Sequence, residues 1–340
     1  MSLIKEKVDL KPYNTFGIEA RCDFFAEIRS EEEFLELIQS TVYKNNKKLI
    51  VGGGSNLLLT GDFKGLVIKN SIRGIKIVSE DEENVLVKVA AGEVWHEFVQ
   101  WCIGREFAGV ENLSLIPGCV GAGPMQNIGA YGVELKDVFV SLDAIGIYSA
   151  ERRLFNREEC KFGYRESVFK NEFKDQFLIV SVTFRLSKKP ILNTSYGAIN
   201  AELQAMKIVR PGIKEVSEAV INIRRSKLPD PSLMGNAGSF FKNPEVTAVT
   251  YNKLKSSYEG MVAYPLANGN FKLAAGWMIE QAGMKGFEWH GAAVHVKQAL
   301  VLVNKNNCKG KDVLELSEIV IKKVFEKFEV RLEREVNVVA

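Results

Sequence analysis

Cysteine is scarce in this sequence, and its spacing suits neither disulfides nor zinc. The 340 residues contain only 5 cysteines, which are widely scattered and form no C-x-x-C pair. An odd, scattered set of this kind excludes a disulfide framework and the usual structural zinc spacing. His290 and His295 do not lie on one helix face, so they do not form a metal pair. We therefore predict no metal site and a reducing, cytoplasmic environment.

Long apolar runs and an excess of one charge are also missing. No segment approaches the roughly 18 apolar residues of a membrane span, and the N-terminal MSLIKEKVDL lacks the apolar core of a signal peptide. With 45 Lys and Arg against 42 Asp and Glu, the net charge is only +3. That balance disfavours a nucleic-acid surface and leaves small anions as charged partners. We expect no membrane insertion, no secretion and no nucleic-acid partner.

The common nucleotide-binding fingerprints are absent too. Neither the glycines at 52–54 nor those at 121–123 complete G-x-G-x-x-G, and no G-x-x-x-x-G-K-[ST] occurs, so neither a simple Rossmann nor a P-loop site is supported. The glycines at 52–54 nevertheless follow an apolar run, 48–51, that is typical of a buried strand. Such a turn lets the backbone approach a ligand and can bind phosphate, although a plain tight turn fits this stretch equally well.

What is present is the mixture of helices and strands of a large globular protein. At 340 residues, 46% of them hydrophobic, the chain exceeds one core and predicts two or three lobes. Apolar periodicity and capping residues predict helices at about 30–45, 94–107, 273–282 and 312–328, strands at 48–51, 177–186, 299–303 and 330–336, and a loop at 188–200. A basic turn at 224–231 indicates a lobe boundary, and its arginines are interpreted as helix C-terminal caps.

Two glycine-rich stretches are candidate site loops. Residues 114–132 hold five glycines, two prolines and almost no charge, which favours a buried loop wrapped around a flat cofactor over a flexible linker. Residues 235–244 set Ser239 between a glycine-rich turn and two phenylalanines. Alone, this second stretch predicts a structural turn in which Ser239 satisfies the backbone and Phe240 and Phe241 begin a buried strand.

Eight short motifs occur along the chain in a fixed order. They are NTFG at 14–17, VGGGSN at 51–56, IPG through GAYG at 116–132, GYRES at 163–167, KLPDP at 227–231, GNAGSFFKNP at 235–244, HVKQAL at 295–300 and EV at 335–336. Each is weak alone, but their order and spacing resemble those of the UDP-N-acetylenolpyruvoylglucosamine reductase family over nearly the whole chain. With Tyr196 in an extra loop, the sequence resembles the longer subgroup of this family, in which a loop carrying a tyrosine covers the substrate.

The resemblance implies an α+β chain with the vanillyl-alcohol-oxidase type of FAD-binding fold. Lobes at residues 1–70 and 71–225 would hold non-covalent FAD, with the FAD-binding region at about 14–187. Residues 226–340 would form a C-terminal α/β lobe that binds substrate and returns its last strand toward the flavin. We expect a monomeric enzyme of the bacterial cytoplasm.

The resemblance also assigns residues to the ligands. The predicted cofactor-binding residues are Gly52, Gly53, Gly54, Ser55 and Asn56 near the pyrophosphate, and Ser114, Ile116, Pro117, Gly118, Gly123, Gln126, Asn127, Gly129, Ala130 and Tyr131 along the rest of FAD. The predicted substrate-binding residues are Tyr164, Tyr196, Lys227, Asn243 and Gln298. For Gln298 a structural role beside the following strand stays open.

The family reaction explains three further residues. NADPH reduces the flavin, which then reduces the enolpyruvyl ether of UDP-N-acetylglucosamine to the lactyl ether of UDP-N-acetylmuramate, a peptidoglycan precursor. Negative charge develops beside the substrate carboxylate, and the fixed cation of Arg165 would stabilise it. Glu335, expected to be protonated there, would add a hydrogen bond, and Ser239 would donate the final proton. Arg334 departs from the family, in which proline is frequent at this position.

Two alternatives stay open at this point. One is a different flavoenzyme of the same fold with covalently attached flavin, for which Cys119 is the nearby attachment candidate. The other is a protein that keeps the nucleotide-sugar site but has no redox activity. The presence of Ser239, Arg165 and Glu335 together favours the reductase over this second alternative.

Overall fold

The computed structural model describes residues 3–340 and divides the chain into two compact units. The first unit comprises the chain up to Val8, Cys22–Gly53 and Lys64–Ser226. The second comprises Asp9–Arg21, Gly54–Phe63 and Lys227–Ala340. The second unit therefore takes two short segments from the N-terminal part of the chain, and the boundary falls inside the glycine turn, after Gly53.

The described chain contains both α-helices and β-strands. The α-helices are α1 Glu31–Gln39, α2 Thr41–Asn45, α3 Trp95–Ile103, α4 Gly197–Ala205, α5 Ile213–Lys227, α6 Ala248–Ser257, α7 Ala275–Gln281 and α8 Gly310–Phe328. The strands are β1 Ile4–Asp9, β2 Arg21–Ile28, β3 Lys48–Val51, β4 Leu57–Leu59, β5 Phe63–Asn70, β6 Ile75–Glu80, β7 Asn84–Ala90, β8 Gly129–Ala130, β9 Val133–Glu134, β10 Phe139–Gly146, β11 Arg152–Asn156, β12 Phe177–Ser187, β13 Gly235–Ser239, β14 Glu245–Val246, β15 Ala263–Pro265, β16 Phe271–Leu273, β17 Glu288–Trp289, β18 Ala292–Val294, β19 Val301–Asn304 and β20 Asn337–Val339.

The first unit contains two sheets. One has four strands in the order β1-β2-β5-β3, and the other has five in the order β11-β10-β12-β7-β6. Helix α3 packs its aromatic side chains on the five-stranded sheet, where Phe98 stacks on Phe184 with ring centroids 5.0 Å apart. Helices α1 and α2 bury Phe34, Leu37 and Tyr43 against the four-stranded sheet and the neighbouring ends of β10 and β12.

The second unit is built on the sheet β13-β19-β18-β17, a three-stranded sheet β14-β16-β15 and the parallel pair β20-β4. Helix α8 buries one apolar side, including Leu316, Val320 and Val324. The N-terminal segment 9–21 belongs to this unit, where the Phe16 ring packs edge-on against Phe240 with centroids 6.2 Å apart. Phe240, which follows β13, therefore packs against the segment 9–21, more than two hundred positions away in the sequence.

Several predicted elements differ from the structure. The helix predicted at 30–45 is broken at Ser40, whose hydroxyl accepts the Tyr43 N–H at 3.1 Å and so begins α2. The predicted loop at 188–200 contains the start of α4. The strand predicted at 330–336 is wrong, because this segment makes only isolated pairings, and the terminal strand is β20 instead. Within residues 3–340, no helix is both long enough and apolar enough to cross a membrane.

Tyr43→Phe is expected to lower the free energy of unfolding by about 1–3 kcal/mol. The phenol of Tyr43 is buried and donates to the Ile147 carbonyl oxygen at 2.6 Å, so its removal leaves that acceptor without its donor. Urea unfolding followed by fluorescence measures the change. Tyr148→Phe is the matched control, because Tyr148 is 74% exposed, and equal effects of the two substitutions would contradict the prediction.

Candidate active site

The glycine turn after β3 brings backbone against backbone. A Cβ at Gly53 would lie 2.8 Å from the Gly118 Cα atom. Gly54 has φ +63°, and a Cβ there would lie 2.0 Å from the Tyr13 carbonyl oxygen. The Lys69 ammonium donates to the Gly52 carbonyl oxygen and holds the start of the turn. The turn is therefore a closely packed cradle of backbone, and its phosphate-binding role stays a prediction.

The loop 114–132 is fixed by buried polar side chains. The Ser114 hydroxyl donates to the Glu111 carbonyl oxygen at 2.7 Å and lies 2.8 Å from the Ser217 hydroxyl. The Asn127 amide donates to the Gly163 carbonyl oxygen at 3.0 Å and accepts the Lys136 N–H at 3.0 Å. Leu115, Asn127 and Tyr131 have φ between 46° and 58°, which is the strained backbone often found at functional sites. The loop therefore has one defined shape, and its Ser114 and Asn127 side chains maintain that shape.

Arg165 is held against this loop. Its φ is 55°, and its guanidinium donates to the Gly129 carbonyl oxygen at 2.5 Å. The same group lies 5.3 Å from the centroid of the Tyr164 ring, within the range of a cation–π contact. These contacts restrict the orientation of the guanidinium.

Arg224 joins this cationic cluster, and sequence reasoning missed it. Its Nε donates to the Leu115 carbonyl oxygen at 3.2 Å, and its guanidinium interacts electrostatically with the Tyr131 phenol. Burial lowers the pKa of Arg224 below its ordinary value, and the charge of Arg165 lowers it further. The sequence analysis interpreted Arg224 as a helix cap. Its position three residues before Lys227, in the KLPDP motif, was the available signal.

The loop at 188–200, which carries Tyr196, contacts loop 114–132, the predicted cofactor loop. Tyr196 precedes α4, is 42% exposed, and meets the Tyr131 ring edge-on at 5.3 Å. The buried Asn112 amide donates to the Tyr131 carbonyl oxygen at 3.0 Å and to the Asn193 carbonyl oxygen at 2.8 Å. Asn112 is a second residue that the sequence analysis missed, and no motif contains it.

Ser239 is the last residue of strand β13 and is half-buried. The structural turn predicted for this stretch is wrong in detail, because residues 235–239 form a strand with a register break between Asn236 and Ser239. Gly238, inside the break, has φ +69°. Phe240 and Phe241 are fully buried and follow this strand. Because of this break, the Ser239 side chain does not follow the regular face-to-face alternation of side chains along the strand.

Glu335 is placed beside the serine segment by the main chain. Its N–H donates to the Phe240 carbonyl oxygen at 2.8 Å, and its carbonyl oxygen accepts from the Asn56 amide at 3.3 Å. Arg334 donates to the buried Ser317 hydroxyl at 2.9 Å and pairs with Glu318 on α8. The arginine at the position where relatives often have proline thus anchors this segment to α8.

The remaining predicted substrate residues are spread over the second unit. Lys227 ends α5 and is exposed. The Asn243 side-chain oxygen accepts the Ala275 N–H at 2.9 Å at the start of α7. The Gln298 N–H donates to His295 Nδ1 at 3.3 Å, and its side chain lies near the start of β19. Asn243 and Gln298 therefore have contacts within the protein. Their role in binding a ligand stays a prediction.

Comparison with known proteins gives the family. Residues 230–339 match the model of the UDP-N-acetylenolpyruvoylglucosamine reductase C-terminal domain, and residues 22–146 match an FAD binding domain. UDP-N-acetylenolpyruvoylglucosamine reductase of Flavobacterium johnsoniae is 50% identical over 337 residues, 99% of both chains. That of Pseudomonas aeruginosa is 48% identical over 338 residues, again 99% of both chains. The chain belongs to the UDP-N-acetylenolpyruvoylglucosamine reductase family.

Membership of this reductase family is matched by the fold. The crystal structure of the reductase from Thermus caldophilus superimposes with a TM-score of 0.69, at 22% identity, over 99% of this chain and 100% of that one. The predicted α+β fold, with its FAD-binding part, is thereby confirmed, and FAD is the cofactor of the family's N-terminal domain. The roles of single residues stay predictions.

Gly53→Ala is expected to weaken FAD binding by at least about tenfold, because the new Cβ would meet the Gly118 Cα atom and push the turn away from the cofactor loop. The measurement is FAD fluorescence during titration of the deflavinated protein. Gly61→Ala is the control, because a Cβ there meets no atom within 4 Å. Unchanged affinity in Gly53→Ala would refute the cradle.

A pH dependence follows from His96. Its Nδ1 accepts the Leu115 N–H at 2.9 Å, and burial, followed by Arg225 and Arg224, lowers its pKa. The unfolded chain then binds a proton at a higher pH than the folded chain, so stability falls as pH drops below about 6.5. Urea unfolding at about pH 7.5 and pH 5.5 should show a smaller loss for His96→Gln than for the unchanged protein. His290→Gln, at an exposed position, should lose as much as the unchanged protein.

Proposed function

We propose that this chain is an NADPH-dependent flavoenzyme that reduces the enolpyruvyl ether of UDP-N-acetylglucosamine-enolpyruvate to UDP-N-acetylmuramate, with Ser239 as the proton donor. The observation that carries the proposal is the main-chain pairing of the Glu335 segment with the Phe240 segment, at 2.8 Å. It supports a shared catalytic role for Glu335 and Ser239, two groups from distant parts of the sequence. Family membership supports the substrate, since both curated relatives named above carry the name of this reductase.

The residues of the first unit suit FAD. The close approach of Gly53 to Gly118 leaves no space for a side chain, as in backbone turns that bind phosphate, and the cationic pair Arg165 and Arg224 suits an electron-rich, anionic molecule. Bound FAD, reduced by NADPH, supplies the hydride. Burial raises the pKa of the Cys119 thiol, which disfavours its use as a covalent attachment site and supports non-covalent FAD.

Arg165 would stabilise the substrate as negative charge develops. Addition of a hydride to the terminal carbon of the enol ether leaves charge on the adjacent carbon and its carboxylate. A guanidinium fixed in advance costs no reorganisation when that charge appears. The contacts of Arg165 with Gly129 and Tyr164 support such a fixed orientation.

Ser239 would then protonate the adjacent carbon. A serine hydroxyl is a poor acid in water, so it transfers its proton only to a strongly basic carbanion. Glu335, protonated and hydrogen-bonded to the substrate carboxylate, would hold that carbon in reach of Ser239. General acid catalysis of this kind is worth on the order of 10²- to 10⁴-fold.

The substrate's nucleotide would be bound by the second group of predicted residues. The exposed ammonium of Lys227 suits a diphosphate, and Asn243, Gln298 and Tyr164 supply hydrogen-bonding groups. Tyr196, on its tethered loop, would cover the bound sugar nucleotide. We place the enzyme, as a monomer, in the bacterial cytoplasm, where peptidoglycan precursors are made.

Ser239→Ala should separate the two half-reactions. NADPH-driven bleaching of the flavin should stay within about twofold of the unchanged enzyme, because no proton from Ser239 is needed there. Reoxidation by the enolpyruvyl substrate should slow by about 10²- to 10⁴-fold. Stopped-flow absorbance of each half-reaction measures this, with Ser256→Ala, an exposed serine of α6, as control. Equal slowing of both half-reactions, or of neither, would exclude the proton-donor role.

A further inference from the structure

Thr15 lies in the second unit, in a motif to which the proposed function gives no role. Its carbonyl oxygen accepts the Asn236 N–H at 3.0 Å. Its hydroxyl donates to the Asn236 carbonyl oxygen at 2.6 Å. A threonine hydroxyl has one hydrogen, so its longer approach of 3.4 Å to the Gly54 carbonyl oxygen is secondary. Thr15 therefore holds both main-chain polar groups of Asn236.

Asn236 is the residue on which the bulge before Ser239 is built. It is buried, and its side-chain oxygen accepts the Gly238 N–H at 2.9 Å. Its amide donates to the Met234 carbonyl oxygen at 2.8 Å. In the pairing of β13 with β19, Asn236 is opposite Val303 and Ser239 is opposite Val301, so the chain between them bulges. The position of Ser239 therefore follows from that of Asn236.

The same threonine also contacts the glycine turn. The Thr15 N–H donates to the Gly54 carbonyl oxygen at 3.1 Å. A Cβ at Gly54 would collide with the Tyr13 carbonyl oxygen, so this position requires glycine. Thr15 thus joins Gly54 to the backbone that precedes Ser239, entirely within the second unit.

We propose that Thr15 is a positioning residue for Ser239. Its hydroxyl fixes the Asn236 backbone, and through the bulge it sets the direction in which Ser239 presents its proton. The inference rests on the proposed function of Ser239. Thr15 acts only through Asn236, and a misplacement of about 1 Å at a catalytic group can cost on the order of 10²-fold in rate.

The decisive variant is Thr15→Val in the FAD-loaded enzyme, because valine keeps the shape and removes the hydroxyl. Flavin reduction by NADPH should stay within about twofold, while reoxidation by the enolpyruvyl substrate should slow about 10- to 100-fold. Thr15→Ser, which restores the hydroxyl, should recover the reoxidation rate to within about threefold. If Thr15→Val does not fold, Thr15→Cys, with its weaker donor, should slow reoxidation to an intermediate degree.

Thr60→Val is the matched control. The Thr60 hydroxyl also donates to a main-chain carbonyl of the second unit, that of Val339 at 3.0 Å, but it supports the β4–β20 pair and not the serine segment. The Thr60→Val substitution removes a comparable hydrogen bond, so it should lower the free energy of unfolding as much as Thr15→Val does. Both half-reactions should stay within about twofold of the unchanged enzyme.

Hydrogen–deuterium exchange without substrate provides a readout other than activity. Thr15→Val should accelerate exchange of the amides at 236–239, and Thr60→Val should leave them unchanged. Normal reoxidation in Thr15→Val, or failure of Thr15→Ser to recover it, would overturn the inference while leaving the function of Ser239 intact. Failure of the unchanged enzyme to be reoxidised by the enolpyruvyl sugar would instead overturn the proposed function.

Discussion

Close backbone packing at two adjacent glycines is the constraint on which the structure of each unit depends. Gly53 touches the main chain of Gly118 within the first unit, and Gly54 touches that of Tyr13 within the second. The first contact sets the shape of the cofactor loop, and the second sets the segment that carries Thr15. Because a side chain at either position would displace backbone, both positions require glycine.

Two arginines of the first unit contact groups that are themselves neutral. Arg165 is oriented by a carbonyl oxygen and an aromatic ring, and Arg224 by a carbonyl oxygen and a phenol. Such partners restrict the orientation of both guanidinium groups. The strained backbone at Arg165 and at Tyr131 is consistent with a site whose geometry is imposed by its surroundings.

In the second unit the catalytic candidates are positioned by main-chain hydrogen bonds. The Glu335 N–H is bound to Phe240, and the backbone before Ser239 is bound by Thr15 and Asn236. Main-chain hydrogen bonds of this kind fix the backbone from which a catalytic side chain projects. Arg334, bonded to Ser317 and Glu318, supplies by side-chain contacts the rigidity that a proline supplies by its ring.

The sequence by itself determined the family, the α+β character, the lengths of the more periodic helices and the motifs that carry the candidate site. Those properties are local, since apolar periodicity, capping residues and glycine-rich turns are written in neighbouring residues. Strand β12 was predicted nearly at its observed bounds for this reason, and helix α3 was predicted within one residue of its observed start but ends four residues earlier than predicted. The break at Ser40, the isolated pairing of 333–335 and the helix α4 were not, because each depends on hydrogen bonds or packing that compete with local preference.

Only the tertiary structure decided what Arg224, Asn112 and Thr15 do. Their partners lie far along the chain: Leu115 for Arg224, Asn193 for Asn112, and Asn236 for Thr15. No local pattern distinguishes a helix-capping arginine from one that faces a cofactor loop, or a loop threonine from one that holds a catalytic strand. Long-range hydrogen bonds specify these roles, and the fold alone determines which distant residues can form them.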